Sequence, residues 1–268
     1  MRSYATDARP SRSLAAIFEE AVSVVRQDMS EYGYAALVGA CTATIVTAIL
    51  RMIGDPVSLA LIPPVVAILA TGTMATCAAA LERAQSGLQP DSAQSFTDAI
   101  VRAPWLLFRI IPATVPFSAA ILSTAWLGPE LGRWTMAPVI VALAFVGIYM
   151  MLPLPAYVSA LFGRDATPHS ATVYAAAMAK SGRMLNLVTL IIVFAPALLA
   201  ALLGVLAQFG AITSALLAFM VVISMPLCAS MMALIYAETA PQLMSGQPLP
   251  PRQHEPAPDA TARLQRFR

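Results

Sequence analysis

The chain has 268 residues, of which 59% are hydrophobic and 11% charged, with a formal net charge of +2. Soluble domains carry about 25% charged residues, so a water-soluble globule is excluded at the outset, and only three Cys argue against a disulfide scaffold. A mean hydropathy of +0.74 places the chain among polytopic membrane proteins.

The first 12 residues, with Arg2, Arg9 and Arg12, are expected to be disordered. From Ser13, the stretch SLAAIFEEAVSVVRQDM sets Leu14, Ile17, Phe18, Ala21, Val24 and Val25 on one helical face. Glu19, Glu20 and Arg26 lie opposite, which predicts an amphipathic helix ahead of the first span. Asp7, Glu19, Glu20, Asp28 and Glu31 leave no uninterrupted apolar core in this region. No secretory signal is therefore expected, and the first span acts as its own insertion signal.

A lipid-crossing helix needs about 20 mostly apolar residues, so the gaps between charges locate the spans. Uncharged windows run from Tyr32 to Leu50, Pro56 to Leu81, Ile110 to Pro129 and Trp134 to Gly163. The window from Met184 to Ala237 holds 54 residues, about 80 Å as a single helix at 1.5 Å per residue. It must fold back, and Gln208-Phe209-Gly210 is the natural break. Six spans result. These windows lack the polar stripe of soluble helices and the alternation of barrel strands. The tail from Gln242, with five Pro, is expected to be disordered.

Fourteen of the sixteen Lys and Arg fall on one side of this threading, leaving Arg51 and Arg133 on the other. Positive charge near span ends stays in the cytoplasm, so both termini are expected inside. Trp105 near the inner boundary, and Trp126 and Trp134 near the outer one, suit aromatic belts.

The lead-in to the first span recurs as SFTDAIVRAPWLLF from Ser95, with Ser95 and Asp98 as a capping pair, and as SATVYAAAMAKSGRML from Ser170, just after Pro168. We read these as three amphipathic elbows lying at the cytoplasmic boundary before turning into the bilayer. The alternative is that they are the polar ends of long tilted helices. The fold class is thus all-α: a polytopic integral membrane protein of six transmembrane helices with three cytoplasmic-side elbow helices. A membrane domain over 13–240 contains pseudo-repeats 13–81, 95–162 and 170–236, followed by a cytoplasmic tail over 241–268.

Chemistry-bearing residues are sparse. Glu82 and Glu238 mark the inner ends of the second and sixth spans, and no acidic residue falls within a membrane core, which disfavours a proton-driven pump. His169 and His254 stand apart, as do Cys41, Cys77 and Cys228, so neither a metal nor another cofactor is expected. No nucleophile elbow, phosphate loop or dinucleotide fingerprint occurs, and the chain is expected not to be an enzyme. Prolines recur within the spans, among them Pro112, Pro116, Pro138 and Pro226, and are read as packing kinks rather than a cavity lining. Lys180, Ser181, Arg183 and Asn186, with Glu238 facing them, form the most polar inner-leaflet cluster. Such a cluster suits a lipid phosphate or, more simply, a helix cap and a structural lock.

Three stretches resemble a known group: SLAAIFEEAVSVVRQD, GLQPDSAQSFTDAIVRAPWLL and LPAYVSALFGRDATPHSATVYAAAMAKSGRML. The closing ALIYAETAPQL is similar to the Tyr-containing helix end of the same group. Over nearly all of residues 13 to 240 the chain resembles an uncharacterised bacterial six-span membrane protein family, related to the membrane domain that precedes some glycerophosphoryl diester phosphodiesterases. Lys180-Ser181-Gly182-Arg183 departs from the bulky aromatic that often follows that Ser in the group. The resemblance implies six spans with cytoplasmic elbows; a catalytic phosphodiesterase domain is not expected in this sequence, so that activity is not carried over. The expected function is that of a non-enzymatic membrane protein organising lipids or membrane partners. A permease subunit served by a separate ATPase is the second expectation, and a lipid-modifying enzyme the third. Membrane lipids, a partner membrane protein or an ATPase are the expected partners, and nucleic acid is not.

Overall fold

The computed structural model describes residues 14–27, 29–87, 91–163, 167–181 and 211–244. All regular structure among them is helical. In chain order the helices are α1 (Leu14–Gln27), α2 (Met29–Ile53), α3 (Pro56–Ala60), α4 (Ile62–Gln85), α5 (Ser92–Leu131), α6 (Arg133–Met151), α7 (Leu154–Leu161), α8 (Pro168–Ser181), α9 (Ala211–Ile223) and α10 (Met225–Met244). Five stretches are long and apolar enough to cross a membrane: Met29–Ile53, Pro56–Gln85, Ser92–Glu130, Thr135–Leu161 and Ser214–Ala240. The span read from Met184 to the Gln208 break lies outside the described residues, as do residues 1–12 and most of the tail.

Local chemistry sets the helix starts. Asp55 caps α3, its carboxylate accepting from the N–H groups of Val57 and Ser58, both at 3.2 Å, with Pro56 at the first helical position. Asp91, not Ser95, caps α5: its carboxylate accepts from the Ala93 N–H at 2.9 Å and the Gln94 N–H at 3.5 Å. The helix therefore begins before Ser95, whose own N–H already donates to the Asp91 carbonyl. The Ser95–Asp98 capping pair is thus corrected, and Asp98 pairs with Arg83 instead. Thr167 caps α8 in place of Ser170. The Ser170 N–H donates to Thr167 Oγ1 at 3.1 Å while the Thr167 N–H donates to Ser170 Oγ at 2.9 Å, a reciprocal box that starts the helix at Pro168.

The lead-in segments differ from one another. α1 is a helix in its own right that packs chiefly against α10, with Ile17 and Ala21 buried and Phe18 left exposed. The second lead-in is no separate element. It forms the first turns of α5, a single helix of 40 residues, about 60 Å long at 1.5 Å per residue and twice the thickness of a hydrocarbon core. The elbow expected there is replaced by the long-helix alternative, and the helix carries through Pro104, Pro112, Pro116 and Pro129. Gly132, at φ 79°, supplies the left-handed turn that reverses the chain into α6.

α4 is the hub of the bundle, packed against α2, α5 and α10 and touching α7 and α9. Its sequence explains this role. Ala70, Thr71, Thr73, Ala75, Ala78, Ala79 and Ala80 are all buried, and small side chains let helix backbones approach where lipid offers no hydrophobic drive to associate. One close approach is at Gly39 of α2. A Cβ there would collide with Thr73 of α4 and lie 3.0 Å from Val222 Cγ1 of α9. α3 is tied to α5 by the Ser118 hydroxyl, which donates to the Ala60 carbonyl at 2.7 Å. Large apolar side chains cover the outside of the bundle, among them Phe108 at 76% and Tyr149 at 74% exposure, as expected of a surface solvated by lipid tails.

Candidate functional site at the basic end of the bundle

The end of α4, the start of α5, the short helices α7 and α8 and the last turns of α10 gather at one end of the bundle, where Arg83, Arg102 and Arg109 lie. Arg102 and Arg109 stand seven residues apart on α5, just under two turns, and so share a face. Each reaches across to the segment that follows α6. Arg102 donates to the Leu161 carbonyl and lies over the Phe162 ring, 4.6 Å from its centroid. Arg109 donates to Thr172 Oγ1 of α8 at 2.8 Å and lies over the Tyr157 ring of α7 at 5.2 Å. A guanidinium is suited to this double duty because its plane stacks while its edge donates.

Arg83, at the end of α4, donates to Asp98 at 3.0 Å and also to the Gln94 side chain. It thereby ties the end of α4 to the first turns of α5 at two points. On the other flank, the Tyr174 ring of α8 meets the Tyr236 ring of α10 edge-on, with centroids 4.8 Å apart and planes at 75°. The Tyr174 hydroxyl and Thr239 Oγ1 are 2.7 Å apart, and Thr239 in turn donates to the Ile235 carbonyl. Burial raises the Tyr174 phenol above its ordinary value, with the Thr239 hydrogen bond acting in the opposite direction.

Between these two flanks lies a crevice of about 250 Å³. Its wall is apolar, built from Ala78 and Leu81 of α4, Phe162 after α7, and Ala233 and Tyr236 of α10. Its polar lining is Glu82, Gln85, Ser86 and Ser159. Gly163 is what allows the wall to close: a Cβ there would lie 2.6 Å from the Tyr236 ring. Ser159 turns its hydroxyl to the Pro155 carbonyl at 3.1 Å and is satisfied within α7. Ser86 Oγ donates to Glu82 Oε1 at 3.1 Å, and no ion pair to Glu82 forms among the described residues. The crevice is therefore amphiphilic, greasy along one side and acidic at one point, and three of the five candidate spans end beside it, at Gln85, Leu161 and Ala240.

The residues singled out in the sequence fall unevenly on this end. Lys180 and Ser181 close α8 by their backbones; their side chains, together with Arg183 and Asn186, lie outside the described residues. Glu238 is half-buried on α10, two residues beyond the crevice residue Tyr236. In the sequence Glu82 stands out only as a boundary marker, and Arg102 and Arg109 only as two of the fourteen basic residues on the inner side. Two signals were present: the seven-residue spacing of the arginines, and an acidic residue ending an otherwise uncharged window. Among the described residues no group of three or more His, Cys, Asp or Glu is placed to hold a metal ion. Comparison of the chain with protein-family models, with curated proteins and with solved structures gives no match.

Proposed function

We propose that the protein is a non-enzymatic multi-pass protein of the bacterial inner membrane that organises lipids, with its basic end in the cytoplasm. The observation that carries this reading is the amphiphilic crevice, set where three candidate spans terminate. A lipid presents an apolar body and a polar head at that same depth, and a concave wall with few polar groups is the form small-molecule sites take. The arginine distribution supports the orientation. The resemblance to the six-span family, with a sixth span in the window from Met184, supports the same threading. The basic residues near the crevice already hold α5 to α7 and α8, which fits a rigid holding site better than one that turns over.

Purification of the full chain in mild detergent followed by native mass spectrometry tests this. The expected result is discrete lipid-bound species that survive detergent exchange. A spectrum of bare protein alone overturns the reading, and so does chemical conversion of added phospholipid by the purified protein.

A further inference from the structure

We infer that the crevice is a headgroup site for an ammonium group, that of a phosphatidylethanolamine-type lipid, with Glu82 as its counter-charge. This rests on the lipid-holding reading above and adds the class of headgroup.

The argument is electrostatic. Of the described residues lining the crevice, Glu82 is the charged one. The three arginines described at this end are committed elsewhere: Arg83 to Asp98 and Gln94, Arg102 to the Leu161 carbonyl and Arg109 to Thr172. None of them lines the crevice, so among the described residues an anionic head placed there would meet a carboxylate and no cation. An ammonium would meet its opposite charge, and in surroundings of lowered dielectric that contact is stronger than in water.

The walls agree with the charge. Tyr236 and Phe162 both line the crevice, and aromatic faces attract cations through their quadrupole; one face of Phe162 already carries Arg102, which leaves Tyr236 as the main ring for an ammonium. Ser86 fixes one oxygen of Glu82, which leaves the other oxygen as an acceptor. Gln85 and Ser86 add polar atoms beside Glu82, and an ammonium has three protons to donate. A free amine would satisfy the same groups. The apolar wall of Ala78, Leu81 and Ala233 favours an amine that arrives on an acyl-chain lipid.

The test uses the full chain in nanodiscs containing equal amounts of phosphatidylethanolamine and phosphatidylglycerol of matched acyl chains, with the protein-bound lipid identified after extraction. The wild type is expected to enrich the ethanolamine lipid about tenfold, the ratio expected for one well-placed cation contact. Glu82→Gln is expected to bring the ratio close to parity while total bound lipid stays the same. N-acylation of the ethanolamine removes the lipid's charge without touching the protein, and it is expected to abolish the enrichment. That arm stands even if the variant does not accumulate. Parity in the wild type, or enrichment that persists in Glu82→Gln or with the N-acylated lipid, overturns the inference. Displacement of the bound lipid by excess free ethanolamine also overturns it, because the site would then select a soluble amine. Bound lipid at parity leaves the lipid-holding function standing, whereas the absence of any bound lipid removes both.

Discussion

The middle of the bundle and its basic end are held together by different physics. Around Gly39 the helices α2, α4 and α9 touch through Thr73, Val222 and a run of alanines, with no room for one added carbon. At the basic end the contacts are long side chains reaching over distance, Arg102 to the Leu161 carbonyl and Arg109 to Thr172, and a crevice opens beside them. In a lipid-solvated protein, close shape fitting supplies cohesion where there is no water to exclude. Polar reach supplies geometry where the headgroup layer begins. A site can form only in the second kind of region, because the first has no volume to offer.

The largest effect is expected from filling the tight region. Gly39→Leu should cost about 3 kcal/mol, the upper part of the range for overpacking a well-filled core. Gly72→Leu, on the neighbouring face of α4 where a Cβ meets nothing within 4 Å, should cost well under half of that. Unfolding of both variants in mixed micelles of increasing denaturing detergent gives the difference, and equal losses would show that the middle is not packed by shape.

An intermediate effect belongs to the clamps. Arg102→Ala should destabilise by about 1–2 kcal/mol through loss of a charged hydrogen bond and the ring contact together. Arg102→Lys should recover less than half of that, since an ammonium keeps the charge but cannot stack and donate at once. Thermal unfolding midpoints separate the two, and full rescue by Lys would mean that charge alone matters at this end.

The smallest effect lies at the opposite end, where Asp55 caps α3 in full exposure to solvent. Hydrogen bonding from Ser58, first through its hydroxyl and then its N–H, together with the Val57 N–H, holds the Asp55 carboxyl below its ordinary value. A carboxyl lowered in the folded state contributes stability that is present above its unfolded value, near 3.9, and is lost as pH falls through the folded one. The unfolding midpoint of the wild type should therefore fall slightly further on acidification than that of Asp55→Asn, which retains a capping side chain with no charge to titrate. Parallel pH profiles would show that the cap is insensitive to charge.

Much of this architecture was legible in the sequence, because charge is expensive in a bilayer and its gaps mark the spans. The windows from Tyr32 and from Pro56 lie inside Met29–Ile53 and Pro56–Gln85. The start of α5 was misplaced because Ser95 and Asp91 are both competent caps. Only the fold reveals that Ser95 is buried and that Asp98 is taken by Arg83. The continuity of α5 was hidden for a related reason: an amphipathic pattern fixes a helical face but does not say whether the axis bends after it. The crevice was least legible of all. Glu82, Phe162 and Tyr236 are brought together from three spans, and nothing local in any of the three announces the others.

The length of α5 has a mechanical consequence. A helix about 60 Å long within a membrane whose full thickness, headgroups included, is about 40–45 Å must lean, bend or protrude. Where it leans, a change in bilayer thickness becomes a change in angle. Arg102 and Arg109 ride on that helix and grip α7 and α8, so leaning would shift the partners on which the crevice wall is built. The protein thus carries a lever with its fulcrum in the oil and its working end among the headgroups.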